Sequence, residues 1–504
     1  MSPTNEKNLL SSNQQRIPAA SRRDFLKAGI AGVAMTTPYI FTSQTVRADE
    51  KSDKPTVASI GVGGSRGRFS RGGNIARQAA KLGRMIAVCD VDEKHNAEFN
   101  EKLGGNLNMY TDYRKLFENE KPDVVTIGTP DHWHVPIALE ALYAGCDVYC
   151  EKPLTLTLAE GAIIRSAVKE TGQVFQVGTQ QRTEMNRLFM YATAIVRSGR
   201  LGDNVNAHCA IGGGLNAGPF ENAETPEGLD WDMWLGPAPK VDYCNERRKI
   251  FRWFLEYSGG KMTDWGAHHI DIAQWALGLD HTGPTKVHGT GAMTDHVPEN
   301  FDWSAFLDGK ATLPNGYNSA TKFNINLDFA EGNRLTVNNE YEDGDTKFGN
   351  GILFTGDKGR MFVNRGKLQG KVVEELFGMN LGKVKDEEGK QRPNYKEAIA
   401  NLSDETRKEF DEVFEKLHKG KRSKGHMANF FDCHEDRGEP ISDVSSHVRT
   451  MASCHLCNVA LMLGREIKWD PTAENFGSDD QANALMTRKR REGFELPQMS
   501  AAAG

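Results

Sequence analysis

The sequence predicts an α/β domain with a parallel sheet, followed by an α+β domain whose open sheet is mainly antiparallel. Residues 124–153 contain a buried strand, a helix with apolar residues at helical spacing and a second short strand, which together form a βαβ unit. Residues 322–329, 334–338 and 351–363 instead alternate apolar and polar side chains, as antiparallel strands do. The chain has 504 residues, more than the roughly 250 to 300 at which one core stops growing, so at least two domains are expected.

The charge pattern excludes two classes of partner. The formal net charge is −6 with acidic and basic residues intermixed, which gives no basic field for nucleic acid and no polybasic strip for a membrane surface. We therefore expect a small neutral or polar ligand, with no nucleic-acid partner and no stable membrane insertion.

The first 48 residues have the pattern of a twin-arginine export signal. Arg22 and Arg23 precede a moderately apolar run, and Val46-Arg47-Ala48 ends in the small-x-small manner of a signal-peptidase site. A membrane anchor is the alternative, but residues 28–40 fall short of the roughly 20 apolar residues that a span needs. The sequence thus predicts cleavage after Ala48 and a periplasmic protein, folded with any cofactor before export.

A glycine-rich turn follows the first predicted strand, residues 56–60. Glycines in such a turn let the backbone approach a pyrophosphate, whose charge then meets the N–H groups at the start of the next helix, here predicted over 75–82. Arg66 stands where a strict GxGxxG pattern has its third glycine, so we expect a turn with one extra residue. The candidate phosphate contacts are Gly61, Gly63, Gly64, Ser65 and Arg66.

Asp90 lies at the end of the second predicted strand, residues 85–88. A carboxylate there accepts hydrogen bonds from the adenosine ribose and repels a 2′-phosphate, which favours NAD while leaving NADP possible. Asp90 follows the glycines by about thirty residues rather than the usual ~20, a delay that an insertion at 68–74 explains. The alternative is a surface aspartate that ends a structural strand. We place this dinucleotide-binding (Rossmann) domain at residues 54–177.

Four stretches together resemble the Gfo/Idh/MocA oxidoreductases, and the resemblance extends from about residue 55 to residue 471. The stretches are Gly61 to Gly67, Cys89-Asp90-Val91-Asp92, Thr129-Pro130-Asp131-His132-Trp133-His134 and Glu151-Lys152-Pro153. The resemblance implies an N-terminal Rossmann NAD(P) domain and a second domain, here residues 178–471, whose open sheet covers the cofactor. It also implies a carbohydrate-like substrate and a homo-oligomer.

Residue roles follow from the same resemblance. The lysine of the Glu-Lys-Pro motif, Lys152, is expected beside both nicotinamide and substrate. Its position just beyond a strand end independently places it in the ligand crevice of a parallel sheet. Further cofactor contacts are expected from Thr129, Pro130, His134 and Glu151.

The second domain offers two groups of candidate substrate contacts. Gln180 and Arg182 follow the last Rossmann strand directly and are in the crevice by position, although an ordinary polar loop is the alternative. Farther on, a helix over 262–277 would bring Asp264, His268 and Asp271 to one side at i, i+4 and i+7. A histidine can accept a proton at neutral pH, and a carboxylate one turn away can hold its tautomer.

The family pattern D-x-x-x-H-x-x-D matches these three residues, with His268 as acid/base, Asp264 as its partner and His269 as a further substrate contact. A helix start with a satisfied histidine pair is one alternative. A metal site is disfavoured because adjacent histidines point about 100° apart on a helix, and no metal is expected.

Two other features have structural interpretations. Cys454 and Cys457 have the spacing of a redox or zinc site, but they sit in a helical run without a second cysteine pair, so a buried helix face is favoured. The C-terminal tail is placed at residues 472–504, and its last part, residues 484–504, is polar and basic, so partial disorder is expected there.

The sequence as a whole favours an exported NAD(P)-dependent oxidoreductase that acts on a sugar, polyol or glycoside hydroxyl. His268 would take the hydroxyl proton, Lys152 would hydrogen-bond the same oxygen and Asp264 would orient the base. Two alternatives stay open: an exported NAD-dependent glycosidase that oxidises its substrate transiently, and a non-catalytic sugar-binding protein on the same fold.

Overall fold

A computed structural model describes residues 54–64, 70–385 and 389–499 of the chain. The predicted signal peptide, residues 1–48, lies outside the described residues. Two of the predicted phosphate contacts, Ser65 and Arg66, lie outside them as well.

The first domain is built on a six-stranded sheet in the order β3-β2-β1-β4-β5-β6, with every neighbouring pair parallel. Its strands are β1 (Thr56–Ile60), β2 (Arg84–Cys89), β3 (Asn108–Tyr110), β4 (Val124–Ile127), β5 (Asp147–Cys150) and β6 (Phe175–Val177). Its helices are α1 (Arg71–Leu82), α2 (Glu93–Lys102), α3 (Tyr113–Asn119), α4 (His134–Tyr143) and α5 (Leu158–Thr171). Every residue of β4 and β5 is buried, as expected for parallel strands covered on both faces.

The second domain is built on an eight-stranded mixed sheet in the order β15-β14-β13-β7-β10-β9-β8-β18. Its strands are β7 (Asn206–Ala210), β8 (Lys286–Ala292), β9 (Lys322–Asp328), β10 (Arg334–Asn338), β13 (Gly351–Gly356), β14 (Gly359–Val363), β15 (Leu368–Gln369) and β18 (Ile467–Lys468). The β7–β10 pair is parallel and the other neighbouring pairs are antiparallel. Two hairpins stand apart, β11 (Tyr341–Asp343) with β12 (Thr346–Phe348) and β16 (Lys383–Lys385) with β17 (Gln391–Pro393). The two-domain fold class predicted from the sequence is thereby confirmed.

The second domain has the following helices, most of which contribute to the hydrophobic core of this sheet. They are α6 (Leu188–Arg197), α7 (Trp231–Leu235), α8 (Asn245–Lys249), α9 (Gly260–Asp264), α10 (Gly266–Leu277), α11 (Trp303–Leu307), α12 (Lys371–Phe377), α13 (Tyr395–Ala400), α14 (Asp404–Leu417), α15 (His426–Asp436), α16 (Val444–Leu463) and α17 (Asp480–Asn483). In the part of the chain that the structure describes, no helix is both long and apolar enough to cross a bilayer.

The long helix α16 shows how local sequence sets the helix boundaries. Asp443 caps its N-terminus by accepting a hydrogen bond from the Ser446 N–H, and Gly464 ends it with a φ of 61°. Cys454 and Cys457 are fully buried in this helix, so the buried helix face predicted for them is confirmed. All eight cysteines are free and buried.

The C-terminal segment contradicts the expected partial disorder over the residues described. Arg490 pairs with the buried Glu160, and Arg488 Nη1 donates to the Leu255 carbonyl oxygen at 2.5 Å. Phe494 packs on Trp133 with ring centroids 5.7 Å apart. The prediction used local polarity, whereas these partners are more than two hundred residues away along the chain.

Candidate active site

A cleft of about 710 Å³ lies between the carboxyl edge of the first sheet and the helices of the second domain. Most of the site residues predicted from the sequence line it. These are Gly61, Gly63, Asp90, Thr129, Pro130, His134, Glu151, Lys152, Gln180, Asp264 and His268. The structure therefore brings the glycine turn, the Glu-Lys-Pro motif and the histidine helix to one cavity.

One end of the cleft has the features of a dinucleotide-binding site. Asp90 Oδ2 accepts a hydrogen bond from the Gly63 N–H at 2.9 Å, which holds the carboxylate at the end of β2. Gly61 has a φ of +76°, and a Cβ there would lie 2.6 Å from the Thr129 N. Thr129 lines the cleft, and its hydroxyl oxygen is buried and has no partner among the described residues. A tight glycine turn, a strand-end carboxylate and an unused polar atom all fit a bound dinucleotide.

The glycine that packs helix against strand is Gly72, which the sequence analysis did not identify. A Cβ on Gly72 would lie 1.7 Å from the Gly61 carbonyl oxygen, so α1 approaches the turn as closely as a third fingerprint glycine allows. The predicted helix start at residue 75 is wrong, because α1 begins at Arg71. The pair Gly72-Gly73 at the start of a helical run was the available signal. Residues 65–69, between the turn and this helix, lie outside the described part.

A segment of the second domain covers the β2 end of the cleft. The Glu93 N–H donates to the Gly228 carbonyl oxygen at 2.9 Å, and the Asp230 N–H donates to the Val91 carbonyl oxygen at 2.9 Å. Arg248 pairs with the fully buried Asp92 at 2.6 Å. These contacts tie the second domain to the strand end that carries Asp90.

At the other end of the cleft, Lys152 meets Asp264. Lys152 Nζ donates to the Asp264 carbonyl oxygen at 2.8 Å and to its Oδ1 at 2.7 Å, while Arg252 Nε lies 3.3 Å from the same Oδ1. Burial alone raises the pKa of the Asp264 carboxyl, but the charges of Lys152 and Arg252 outweigh it and lower that pKa to about 2. Asp264 is therefore ionised at neutral pH and fixes the position of the lysine.

His268 lies in the same cleft with its side chain almost wholly buried. Burial, and next the charges of Lys152 and Arg365, lower the pKa of His268 well below its usual value. The imidazole is consequently neutral at physiological pH and able to accept a proton. Among the described residues, the His268 ring does not donate the expected hydrogen bond to the Asp264 carboxylate. That carboxylate faces Lys152, and His268 Nδ1 has no partner.

The helix that carries these residues is broken at Trp265 into α9 and α10, contrary to the single helix predicted. Asp271, expected on the same face as Asp264, lies away from the cleft. It forms a fully buried ion pair with Arg182, at 2.9 Å to Nε and 2.7 Å to Nη2. The short 3₁₀ turn after β6 directs Arg182 inward, so the expected contact between Arg182 and substrate is not supported.

His269 also points away from the cleft. Its Nε2 lies 3.2 Å from Asn350 Oδ1, and burial lowers its pKa to about 4. The expectation that His269 contacts substrate is therefore not supported either, because consecutive helix positions face different sides.

The Glu-Lys-Pro corner is held by a network that includes several predicted site residues. Glu151 Oε1 accepts hydrogen bonds from Arg71 Nε at 2.8 Å and from Gln180 Nε2 at 2.9 Å. His134 Nδ1 lies 2.6 Å from the Pro153 carbonyl oxygen and its Nε2 lies 2.9 Å from the Thr129 carbonyl oxygen. Glu151 and His134 thus position the loops on either side of Lys152.

Several lining residues carried no motif in the sequence. They are Arg71, Leu215, Arg252, Trp253, Trp265 and Arg365. Arg365 follows β14, about a hundred residues beyond His268, and no local pattern indicates its place. The described residues contain no group of three or more metal-ligating side chains.

Two family models match this chain. One, described as an oxidoreductase family with an NAD-binding Rossmann fold, covers residues 56–179, and the other, its C-terminal alpha/beta domain, covers residues 214–305. Both are models of the Gfo/Idh/MocA oxidoreductase family, to which these two segments are similar. The N-terminal domain is thus an NAD-binding Rossmann domain.

Curated relatives match this chain over part of their length. The oxidoreductase YfiI of Bacillus subtilis is 32% identical over 23% of this chain and 30% of its own. The scyllo-inositol 2-dehydrogenase (NAD⁺) of Bacillus subtilis is 29% identical over 36% of this chain and 42% of its own. The D-glucoside 3-dehydrogenase of Escherichia coli is 25% identical over 40% and 49%. The chain spans less than half the length of each of these relatives.

Solved structures share the fold. The myo-inositol 2-dehydrogenase of Lactobacillus plantarum is 19% identical, with a TM-score of 0.51 over 82% of this chain and 99% of that protein. The WlbA dehydrogenase of Bordetella pertussis is 14% identical, with a TM-score of 0.53 over 83% and 99%.

Proposed function

We propose that this chain is an exported NAD-dependent oxidoreductase that moves a hydride between nicotinamide and a hydroxyl-bearing carbon of a sugar, polyol or glycoside. The observation that carries the proposal is that Lys152 and His268 line one cleft whose other end holds the glycine turn and Asp90. The names of the curated relatives, which include inositol and glucoside dehydrogenases, support the same substrate class.

The two residues have complementary roles at the substrate hydroxyl. NAD, when bound, would serve as the hydride acceptor. His268, neutral because burial lowers its pKa, accepts the hydroxyl proton as the carbon loses its hydride. Lys152 stabilises the negative charge that develops on the same oxygen.

The hydrogen bonds of Lys152 leave room for that oxygen. An ammonium group has three N–H donors, and in the described residues two hydrogen bonds from Nζ go to Asp264. One donor remains for the substrate. Asp264 is thus a positioning residue for Lys152 and not for His268.

The proposed preference for NAD over NADP rests on Asp90. Its carboxylate is held by the Gly63 N–H and the Asp92 N–H, in the place where the adenosine ribose is expected. A 2′-phosphate there would meet a negative charge that the backbone fixes in position.

Activity assays on the purified protein without residues 1–48 test the function. Nucleotide released by denaturation is identified by mass spectrometry, and sugars, polyols and glycosides are then screened for NADH formation at 340 nm. We expect NAD binding and NADH formation with at least one substrate. Release of an aglycone without net NADH would instead indicate the glycosidase, and failure to bind either nucleotide would contradict both catalytic functions.

Export is a separate part of the proposal, supported by Arg22, Arg23 and the Val46-Arg47-Ala48 pattern. Fractionation of cells that express the full chain tests it. We expect a processed protein in the periplasm, and accumulation of unprocessed protein in the cytoplasm when both arginines are replaced by lysine. Equal distribution of the two forms would contradict export by this route.

A further inference from the structure

The ring of Trp265 is contacted by two cations at the substrate end of the cleft. Arg365 Cζ lies 4.6 Å from the ring centroid and Lys261 Nζ lies 5.8 Å from it. Trp265 occupies the break between α9 and α10, directly after Asp264, and both Trp265 and Arg365 line the cleft. Lys261 Nζ is also 5.7 Å from the ring of Trp253, another lining residue. Both cations therefore lie close to the proposed reacting groups.

Within residues 54–64, 70–385 and 389–499, neither Arg365 nor Lys261 has a carboxylate within 4.0 Å. Arg365 Nε donates to the neutral amide oxygen of Gln181 at 2.9 Å. Among the nearby carboxylates, Asp264 is held by Lys152 and Arg252, and Glu151 is held by Arg71. Glu184 also lines the cleft, but it forms no ion pair with Arg365 and its charge offsets the burial of Arg365 only in part.

Burial without a carboxylate partner lowers the pKa values of these two cations. Burial lowers the pKa of Lys261 and the pKa of Arg365, and the charge of Asp264 offsets that effect in part for both groups. An additional anion beside them would stabilise both protonated forms.

The opposite end of the cleft lacks this feature. There Arg248 is paired with Asp92, and the negative pyrophosphate of NAD is expected at the glycine turn and the start of α1. Lys249 also lines the cleft, but it is exposed, so the partly buried positive charge without a carboxylate partner is concentrated where the substrate, rather than the dinucleotide, is expected. A guanidinium suits a carboxylate because its planar donors match the two carboxylate oxygens.

We propose that the substrate is an acidic sugar or polyol whose carboxylate is bound by Arg365, with Lys261 adding to the attraction. The inference rests on the oxidoreductase function proposed above and narrows its substrate class. Trp253 and Trp265 provide apolar faces for the sugar ring, while Lys152 and His268 engage the hydroxyl that reacts.

Calorimetric titration of the NAD-loaded protein tests the proposal with matched probes. The pairs are D-glucuronate with D-glucose, D-galacturonate with D-galactose, and D-gluconate with D-glucitol. We expect at least one acid to bind about tenfold or more tightly than its neutral partner, because hydrogen bonds to charged groups contribute that much. The preference should weaken as salt concentration rises.

Three variants locate the effect. Arg365→Gln should remove the preference for the acid, and Lys261→Gln should reduce it. Arg360→Gln is the matched control, because Arg360 lies on β14 near Arg365 but is exposed and pairs loosely with Asp343 at 3.8 Å. That variant should keep the full preference. Thermal melting verifies that each variant is folded, and if Arg365→Gln does not fold, Lys261→Gln decides alone.

Equal or tighter binding of the neutral partners, failure of every acid to bind, or a preference that is undiminished in the deciding variant would overturn the acidic-substrate proposal. NADH formation from neutral sugars with no binding of acids would do so while leaving the oxidoreductase function standing. Selective binding of acids that depends on Arg365, without NADH formation from any probe that binds, would support the carboxylate subsite at Arg365 and contradict the oxidoreductase function.

Discussion

Two ion pairs involve aspartates of the helix that is broken at Trp265, and the two pairs differ in their surroundings. Lys152–Asp264 faces the cleft, with 10% and 17% of the two side chains exposed. Arg182–Asp271 is enclosed, with 1% and 0% exposed, and its arginine also donates to the Ile441 carbonyl oxygen at 2.7 Å. The break at Trp265 separates the two aspartates and turns one toward the ligand and the other toward the core.

The difference shows that one short motif serves two purposes. The enclosed pair has each charge matched inside the protein, so its loss would leave a buried charge without a partner. In the cleft pair, Lys152 keeps a donor for a ligand. We therefore expect changes at Asp271 to affect stability and changes at Lys152 or His268 to affect turnover.

The largest effect is expected from Asp271→Ala. Because it leaves the buried Arg182 unpaired, it should lower the free energy of unfolding by about 3–5 kcal/mol. Denaturant unfolding followed by circular dichroism measures this loss. Turnover per folded molecule should stay within about threefold of wild type. A stable Asp271→Ala protein with little activity would assign this pair to the active site and remove the contrast.

Lys152→Ala and His268→Ala should each lower kcat by about 100-fold or more, since each removes a group that acts on the reacting hydroxyl. Both proteins should retain bound NAD, which mass spectrometry of released nucleotide checks. Lys358→Ala, at an exposed position in the β13–β14 turn, is the matched control and should leave kcat unchanged. Near-normal turnover in both cleft variants would rule out the proposed site.

Asp90→Ala should weaken NAD binding by about tenfold, because the carboxylate no longer accepts the ribose hydroxyl hydrogen bonds. It should also narrow the gap between NAD and NADP. Titration with each nucleotide measures both changes, and kcat at saturating NAD should be nearly unaffected. An unchanged preference for NAD would show that Asp90 ends the strand without reading the ribose.

A smaller effect is expected in the pH profile. His268 acts as a base when neutral, and burial together with nearby positive charge lowers its pKa, so kcat/KM should stay high down to acidic pH and fall below the pKa of His268. Arg365→Gln removes one of those positive charges, which raises this pKa and moves the acidic limb to higher pH. Arg360→Gln should leave the limb in place. A shift to lower pH in Arg365→Gln would contradict this electrostatic explanation.

Features encoded by neighbouring residues could be predicted from the sequence. The βαβ unit ending in Glu151-Lys152-Pro153 and the helical run that carries Cys454 and Cys457 could be predicted because strand patterning, turn residues and helix caps act within a few positions. Gly61, Gly63 and Asp90, predicted in the same way, line one end of the cleft.

Features set by tertiary contacts could not be predicted in this way. Helical spacing placed Asp264 and Asp271 on one face, and nothing local indicated that Trp265 divides the helix. Arg182 was predicted to contact a ligand because its partner, Asp271, lies far along the chain and no local pattern indicates the pair. Arg365 enters the cleft from another strand end, and the arginines of the C-terminal segment depend on partners in earlier parts of the chain.

The central claim is that Lys152 and His268 act on one substrate oxygen beside the nicotinamide. A crystal structure of the NAD-loaded protein tests it most directly. We expect the adenosine ribose at Asp90 and the nicotinamide ring in contact with Lys152, with His268 across the space where the hydroxyl binds. A nicotinamide ring bound outside this cleft, or a His268 side chain turned away from it, would contradict the claim.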